Sequence, residues 1–118
     1  MLSRGQLGEK LALKKLQSEG YRILGKNFRC RFGEIDIIAV DKNVLVFVEV
    51  KLRIGDEYGK AKTAVSRQKI RKIKTTGAFF MLTNSQFREQ RVDLVAIDIE
   101  PKSKRVSIEL IKNIDNIW

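Results

Sequence analysis

The sequence predicts an α/β fold: a central mixed β-sheet flanked by helices, with elements in the order αβββαββ. Two consecutive runs, residues 34–40 and 44–50, are β-branched and largely apolar at positions of both parities, so both faces of their strands should be covered. One helical pattern precedes these runs and another follows them. A helix joining the third strand to the fourth allows a parallel, right-handed crossover within the same sheet.

Ser3 followed by Gln6 has the pattern of a capping box, and Gly20 offers a stop, which together predict a helix over residues 4–19. On it Ala12, Leu13 and Leu16 share one face, with Glu9 in the middle of that face. A carboxylate in an apolar stripe needs a partner, and a partly exposed pairing with an arginine is the plainest one. Tyr21 to Phe28 reads as a strand. Asp41-Lys42-Asn43 separates the two apolar runs as turn material, so the runs form a hairpin. If the turn is the two-residue Lys42-Asn43 type, Asp41 faces Val44. Counting back then puts Asp36 opposite Glu49 and Glu34 opposite Lys51, with opposed Cβ atoms roughly 4.5–5.5 Å apart. A three-residue turn would send Asp36 and Glu49 to opposite faces. Gly55 to Gly59 reads as a loop. Ser66 caps a second helix running to about Leu82, with Ile70, Ile73 and Phe80 as core contacts. Val92–Ile99 and Val106–Ile111 form two further strands around a turn at Pro101.

At 118 residues, 43% of them hydrophobic, the chain is expected to form a single domain over residues 1–118. It contains no histidine, which excludes Ser-His-Asp and Cys-His nucleophile systems, HExxH metalloproteases and histidine-based nucleases. The lone cysteine, Cys30, excludes cysteine-cluster zinc sites and an internal disulfide, and reads as a small packing residue. Acid, base or metal ligands must then be carboxylates, lysine, tyrosine, arginine or backbone carbonyls, and such oxygen ligands suit Mg2+ or Mn2+. No signal-peptide pattern and no run of about 18 apolar residues is present, so a reducing cytoplasm is the expected home.

The formal net charge of +10 favours polyanionic partners. Residues 61–91 carry eight basic side chains and one acidic one. From Lys60 to Lys74 the basic residues are Lys60, Lys62, Arg67, Lys69, Arg71, Lys72 and Lys74, with no acid among them. A solvated helix face usually mixes signs, and this one repels itself, which favours nucleic-acid contact over mere solubility. A membrane surface is the weaker partner because the basic helix lacks a bulky aromatic face along most of its length.

Asp36 is followed thirteen residues later by Glu49, then one apolar residue and Lys51. Glu49 and Lys51 alternate, so acid and ammonium project from one face of the strand. Glu100-Pro101-Lys102 has the same E-x-K pattern but falls in a turn with no partner acid, and takes no role.

With these residues the chain resembles the PD-(D/E)xK nuclease superfamily. More narrowly it resembles the YraN-like family of endonuclease-like proteins, related to archaeal Holliday junction resolvases. The matching stretches include Gly8-Glu9 with Ala12, Gly20 to Leu24, Asn27-Phe28-Arg29, Gly33 to Ala39, Val46 to Lys51 with Arg53, Ala64-Val65, Lys69, and Val92 to Ile97. The resemblance implies a restriction-endonuclease-like fold and a Mg2+- or Mn2+-dependent DNA endonuclease acting on branched or repair intermediates. It makes Asp36 and Glu49 metal ligands, with the Val50 backbone carbonyl as a third. Lys51 would orient or deprotonate the attacking water, or stabilise charge on the phosphate. Glu9 matches the first-helix acid that reaches the site through a water, and Lys69 matches the basic residue of the second helix. Lys60, Lys62, Arg67, Lys69, Arg71 and Lys72 would contact nucleic acid, and the related resolvases imply a symmetric homodimer. The alternative is a module that keeps the fold and binds nucleic acid without cutting, in which Asp36, Glu49 and Lys51 form a buried ion-pair network. Ile70, Val92 and Asn113-Ile114-Asp115 depart from the family pattern, and a two-residue offset turns Gln68 away from the role of the glutamine that Ile70 replaces. Tyr58 lies in the loop beside the site, and Trp118 reads as a terminal packing residue.

Overall fold

The Ser3 hydroxyl accepts the Gln6 N–H at 3.1 Å, and the Gln6 side chain accepts the Ser3 N–H at 2.9 Å. This capping box starts helix α1, Arg4–Ser18. Gly20, at φ 88, lets the chain turn out of the helix into strand β1, Arg22–Cys30. The computed structural model describes residues 1–55 and 60–116, so Tyr58 and Trp118 lie outside the described residues. Strands β2 (Gly33–Asp41) and β3 (Val44–Ile54) follow, then a short 3₁₀ turn, Ala61–Ala64. Ser66 accepts the Lys69 N–H at 3.1 Å and caps helix α2, Arg67–Met81. Strands β4 (Glu89–Glu100) and β5 (Arg105–Ile111) complete a five-stranded sheet in the order β1-β2-β3-β4-β5. All neighbours are antiparallel except β3 and β4, which are parallel, as the helical connection allows.

The doubly apolar strands are covered on both faces. Ala12, Leu16 and Tyr21 pack with Ile37, Ala39, Val46 and Val48 on the α1 side. Ile70 and Ile73 pack with Ile38, Val40, Leu45 and Phe47 on the α2 side. Phe80 is half-buried and meets Phe28 edge-on at 5.2 Å. The departures from the family pattern fill the core: Ile70, Val92 and Ile114 are all buried in the α2-side cluster.

The hairpin turns at Lys42-Asn43, with Asp41 paired to Val44 and the register running to Ile37 opposite Val48. That is the two-residue turn, and Lys42 absorbs it at φ 59. Beside it lies a buried polar network outside the sequence expectations. The Tyr21 hydroxyl donates to Asp93 at 2.6 Å, and Arg91 donates to Asp93 (2.9 Å), to Tyr21 (2.8 Å) and to Asp41 (2.6 Å). Lys112 reaches Asp41 at 3.3 Å, and the Asn113 N–H donates to Asp93. Asp93 is fully buried, so these bonds offset the cost of its desolvation. The hydrogen bond from Arg91 holds the Asp41 carboxyl below its usual range, and burial raises the Tyr21 phenol well above its own.

Helix α2 can approach β3 only because position 77 is glycine. A Cβ there would overlap the Phe47 ring. Ala normally stabilises a helix interior by ~1 kcal/mol relative to Gly. Here Gly77→Ala is expected to lower the unfolding free energy by about 1–3 kcal/mol, the cost of overpacking, measured by urea denaturation.

Candidate active site at the end of the hairpin ladder

The regular pairs of β2 and β3 end at Ile37–Val48, one step short of Asp36 and Glu49. There the Asp36 carboxylate accepts the Val50 N–H at 2.8 Å. The strand changes course at this residue. Ile35 packs into the α2-side cluster and Ile37, two positions on, into the α1-side cluster, although a regular strand would send both to one face. Beyond the last regular pair the altered path leaves the two carboxyl groups close enough for Asp36 to act on the proton affinity of Glu49.

Glu49 is only 3% exposed. Burial raises its pKa to about 7, with the neighbouring Asp36 adding to the rise and Lys69 and Lys51 opposing it. The Lys51 ammonium lies 3.6 Å from Glu49 Oε2 and that of Lys69 lies 3.8 Å from the same oxygen. Lys51 arrives by alternation along β3. Lys69 arrives from α2, in the first turn after the Ser66 cap. Asp36, Val50, Lys51 and Glu9 all line a cavity of about 550 Å3 between the α1 N-terminal half and the strand ends.

Glu9 is placed differently from its expected arginine pairing. It bridges to Lys26 at 3.2 Å and accepts from Asn27 at 3.2 Å, both on β1. Asn27 sits at φ 55, a left-handed position that asparagine tolerates. The expected cross-strand partner of Glu34 is also corrected. Lys51 is committed to Glu49, and Glu34 pairs with Arg29 of β1 at 3.1 Å, its direct neighbour in the β1–β2 ladder. Among the described residues no group of three or more acidic or cysteine side chains converges closely enough to hold a metal ion. What this end of the hairpin offers is a carboxylate pair with the Val50 backbone beside it.

One of the six basic residues singled out in the sequence is engaged by the acid pair. Lys60, Lys62, Arg67, Arg71 and Lys72 are exposed, and Lys69 alone turns inward to Glu49. Gln68 and Ile70 face opposite ways, Gln68 outward and Ile70 into the core, as their offset around the helix requires. Cys30 is a half-buried free thiol whose sulfur accepts the Phe32 N–H at 3.4 Å. No helix among the described residues is long and apolar enough to cross a membrane.

A family model described as the uncharacterised protein family UPF0102 matches residues 8–97. A UPF0102 protein of Syntrophus aciditrophicus is 46% identical over 113 residues, covering 95% of this chain and 87% of the relative. One from Thermodesulfovibrio yellowstonii is 44% identical over 94 residues, with 80% and 84% covered. One from Clostridium botulinum is 40% identical over 111 residues, with 92% and 90% covered.

The raised Glu49 carboxyl sets a stability signature. The folded protein holds that proton more tightly than the unfolded chain does. The resulting stabilisation is complete below the ordinary glutamate value and is lost as pH rises through about 7. In chelator at pH 8, Glu49→Gln should therefore be more stable than wild type by on the order of 2 kcal/mol. The difference should vanish toward pH 5, as followed by chemical denaturation.

Proposed function

The chain belongs to the uncharacterised protein family UPF0102, and from that premise and the geometry of its acidic pair we propose that it is a metal-dependent DNA endonuclease. The reading takes the five-stranded sheet and its helices as a single restriction-endonuclease-like domain of the PD-(D/E)xK type, working on branched or repair intermediates in the cytoplasm as a homodimer. The observation that carries it is the contact of Asp36 with Glu49, with Lys51 on the same side of the site.

The donors fit a hard divalent cation. Two carboxylates and the Val50 carbonyl supply oxygen ligands of the kind Mg2+ and Mn2+ prefer, and the nearby lysines do not offset the cost of burying the Glu49 charge. Such a cation, when bound, neutralises phosphate charge and makes water more acidic. Asp36 and Glu49 would hold it. The Val50 N–H fixes the Asp36 carboxylate in place. Lys51 reaches the cavity from the same strand face as Glu49, where its ammonium orients the attacking water or takes up charge developing on the phosphate. Lys69 adds a second cation near Glu49, and Glu9, across the cavity, is positioned to accept from a water between it and the acid pair. Lys60, Lys62, Arg67, Arg71 and Lys72 hold the duplex backbone.

A second reading has its own support. Both lysines already pair with Glu49, and Glu9 is engaged by Lys26 and Asn27, so the site also suits a closed ion-pair network in a module that binds nucleic acid without cutting.

Cleavage of duplex, flap and four-way-junction DNA with Mg2+ or Mn2+ separates the two. The endonuclease reading expects activity that chelator abolishes and that Asp36→Ala or Glu49→Ala reduces by at least about a hundredfold, the range over which a positioned electrostatic group acts. Absence of cutting by wild type, or unchanged activity in either variant, would leave the binding module. Under both readings affinity for DNA falls steeply with salt. Replacing Arg67 and Lys72 by alanine is expected to reduce the slope of log affinity against log salt by roughly one for each phosphate no longer neutralised, measured by fluorescence titration.

A further inference from the structure

Phe32 stands at the tip of the β1–β2 hairpin, where Cys30 pairs with Gly33 and only Arg31 and Phe32 make the turn. Two features carry that tip onto α2. Gly33 adopts φ 152, a conformation open to glycine, and a Cβ at that position would come within 3.0 Å of the Thr76 hydroxyl. Phe32 consequently lies against α2 and meets Phe79 at 6.0 Å with their planes 62° apart. Neither ring belongs to the core. Phe32 is 39% exposed and Phe79 40%.

The surroundings of this exposed aromatic pair are cationic. A groove of about 350 Å3 is lined by Phe32, Gln68, Arg71, Lys72 and Thr75, and no acidic side chain lines it. The Arg31 guanidinium rests over the Phe32 ring, 4.9 Å from its centroid. Lys72, which lines the groove, follows by three residues, about 4.5 Å along the α2 axis, the Lys69 that pairs with Glu49. An aromatic ring flanked by arginine and lysine, with an amide donor and acceptor beside it, is the chemistry that holds an unpaired nucleobase between its phosphates.

We infer that Phe32 and the Gln68–Arg71–Lys72 face of α2 form a stacking site for an unpaired base of a nucleic-acid strand adjoining the acidic pair. The base stacks on Phe32, while Arg71 and Lys72 neutralise the flanking phosphates and Gln68 meets the base edge. Arg31, which rests over one face of the ring, leaves that face to the base or keeps it while the base takes the other. This deepens the nucleic-acid reading of the basic helix and is independent of cleavage. It identifies the partner as one with single-stranded or branched character, because a base inside a duplex presents no free face.

The test is binding in chelator, so that cutting plays no part. A labelled oligothymidylate and a blunt duplex of equal length are titrated by fluorescence anisotropy with wild type, Phe32→Ala, Phe32→Leu and Phe32→Trp. Stacking predicts that Phe32→Ala and Phe32→Leu weaken the single strand about tenfold and leave the duplex unchanged, and that Phe32→Trp restores the single strand. The same Phe32→Ala change should relieve the quenching of a 2-aminopurine placed in the strand. Because Phe32 lies outside the core, the variants should match wild type in thermal midpoint. Equal weakening for both ligands, no weakening, rescue by leucine, or no single-strand binding by wild type would each overturn the inference. Failure of the endonuclease reading appears elsewhere, as absent cutting by a protein that still binds with this preference.

Discussion

The constraint on which the rest depends is the register between β2 and β3. It is set at the closed end of the hairpin, where Lys42-Asn43 turns the chain and Asp41 pairs with Val44. A slip of one residue would exchange the two faces of β3 and take Glu49 away from α2 and Asp36 alike. The buried network holds this end. Arg91 of β4 grips Asp41 at the last position of β2 and Asp93 on its own strand, while Lys112 adds a second cation to Asp41. At the open end, roughly 17 Å away at the rise of a strand, the same register delivers Asp36 to Glu49. Gly77 then sets the distance of α2 from Phe47, and with it the reach of Lys69 to the Glu49 carboxylate.

The two clusters of buried charge differ in geometry more than in count. Around Asp93 the donors are in direct hydrogen-bonding contact, at 2.6–3.0 Å, and come from a phenol, a guanidinium and a backbone N–H in fixed positions. Such a closed set offsets desolvation and resists change. Around Glu49 the ammonium groups lie at 3.6 and 3.8 Å on flexible, partly exposed stems, while the Asp36 carboxyl opposes its ionisation. That arrangement leaves Glu49 poorly compensated, and its proton affinity rises accordingly. A fold that spends one network on rigidity keeps the other unsettled, which is the usual condition of a site that must accept something.

Residues alone reveal the parts of this protein that are set locally. The capping box at Ser3, the cap at Ser66, the two-residue turn and the doubly apolar strands are local signals, and each has its counterpart in the structure. The approach of Asp36 to Glu49 was legible because a tight turn converts sequence spacing into cross-strand position. The partners of Glu9 and Glu34 were not, because both lie on β1, whose register against β2 is shifted between Ile23 and Gly25 and which carries no turn as informative as Lys42-Asn43. The Asp93 network escaped for a related reason. Arg91 and Asp93 alternate on one strand face and so could have suggested a buried pair, but Tyr21, Asp41 and Lys112 join them only through tertiary structure. The clustering of basic residues in α2 was plain in the sequence. The division of that helix into an inward Lys69 and an outward Arg71–Lys72 face required the helix to be docked.

That division bears on the electrostatics of the proposed reaction. A surface of net charge +10 draws a polyanion toward the protein, yet the polyanion's phosphate would meet two carboxyl groups at the acid pair. At pH values below about 7 the pair relieves the conflict by keeping a proton. Above it Glu49 ionises at the cost of a second buried charge, and positive charge entering with the phosphate or before it would offset that cost. Lys51 and Lys69 supply part of that charge from the side, and a divalent cation between the carboxylates would supply the rest at the point where phosphate and acid meet. The raised Glu49 value and the cation of the proposed reaction thus answer to one burial cost. In the proposed reaction, that cation is what would open a route to hydrolysis for a chain without histidine.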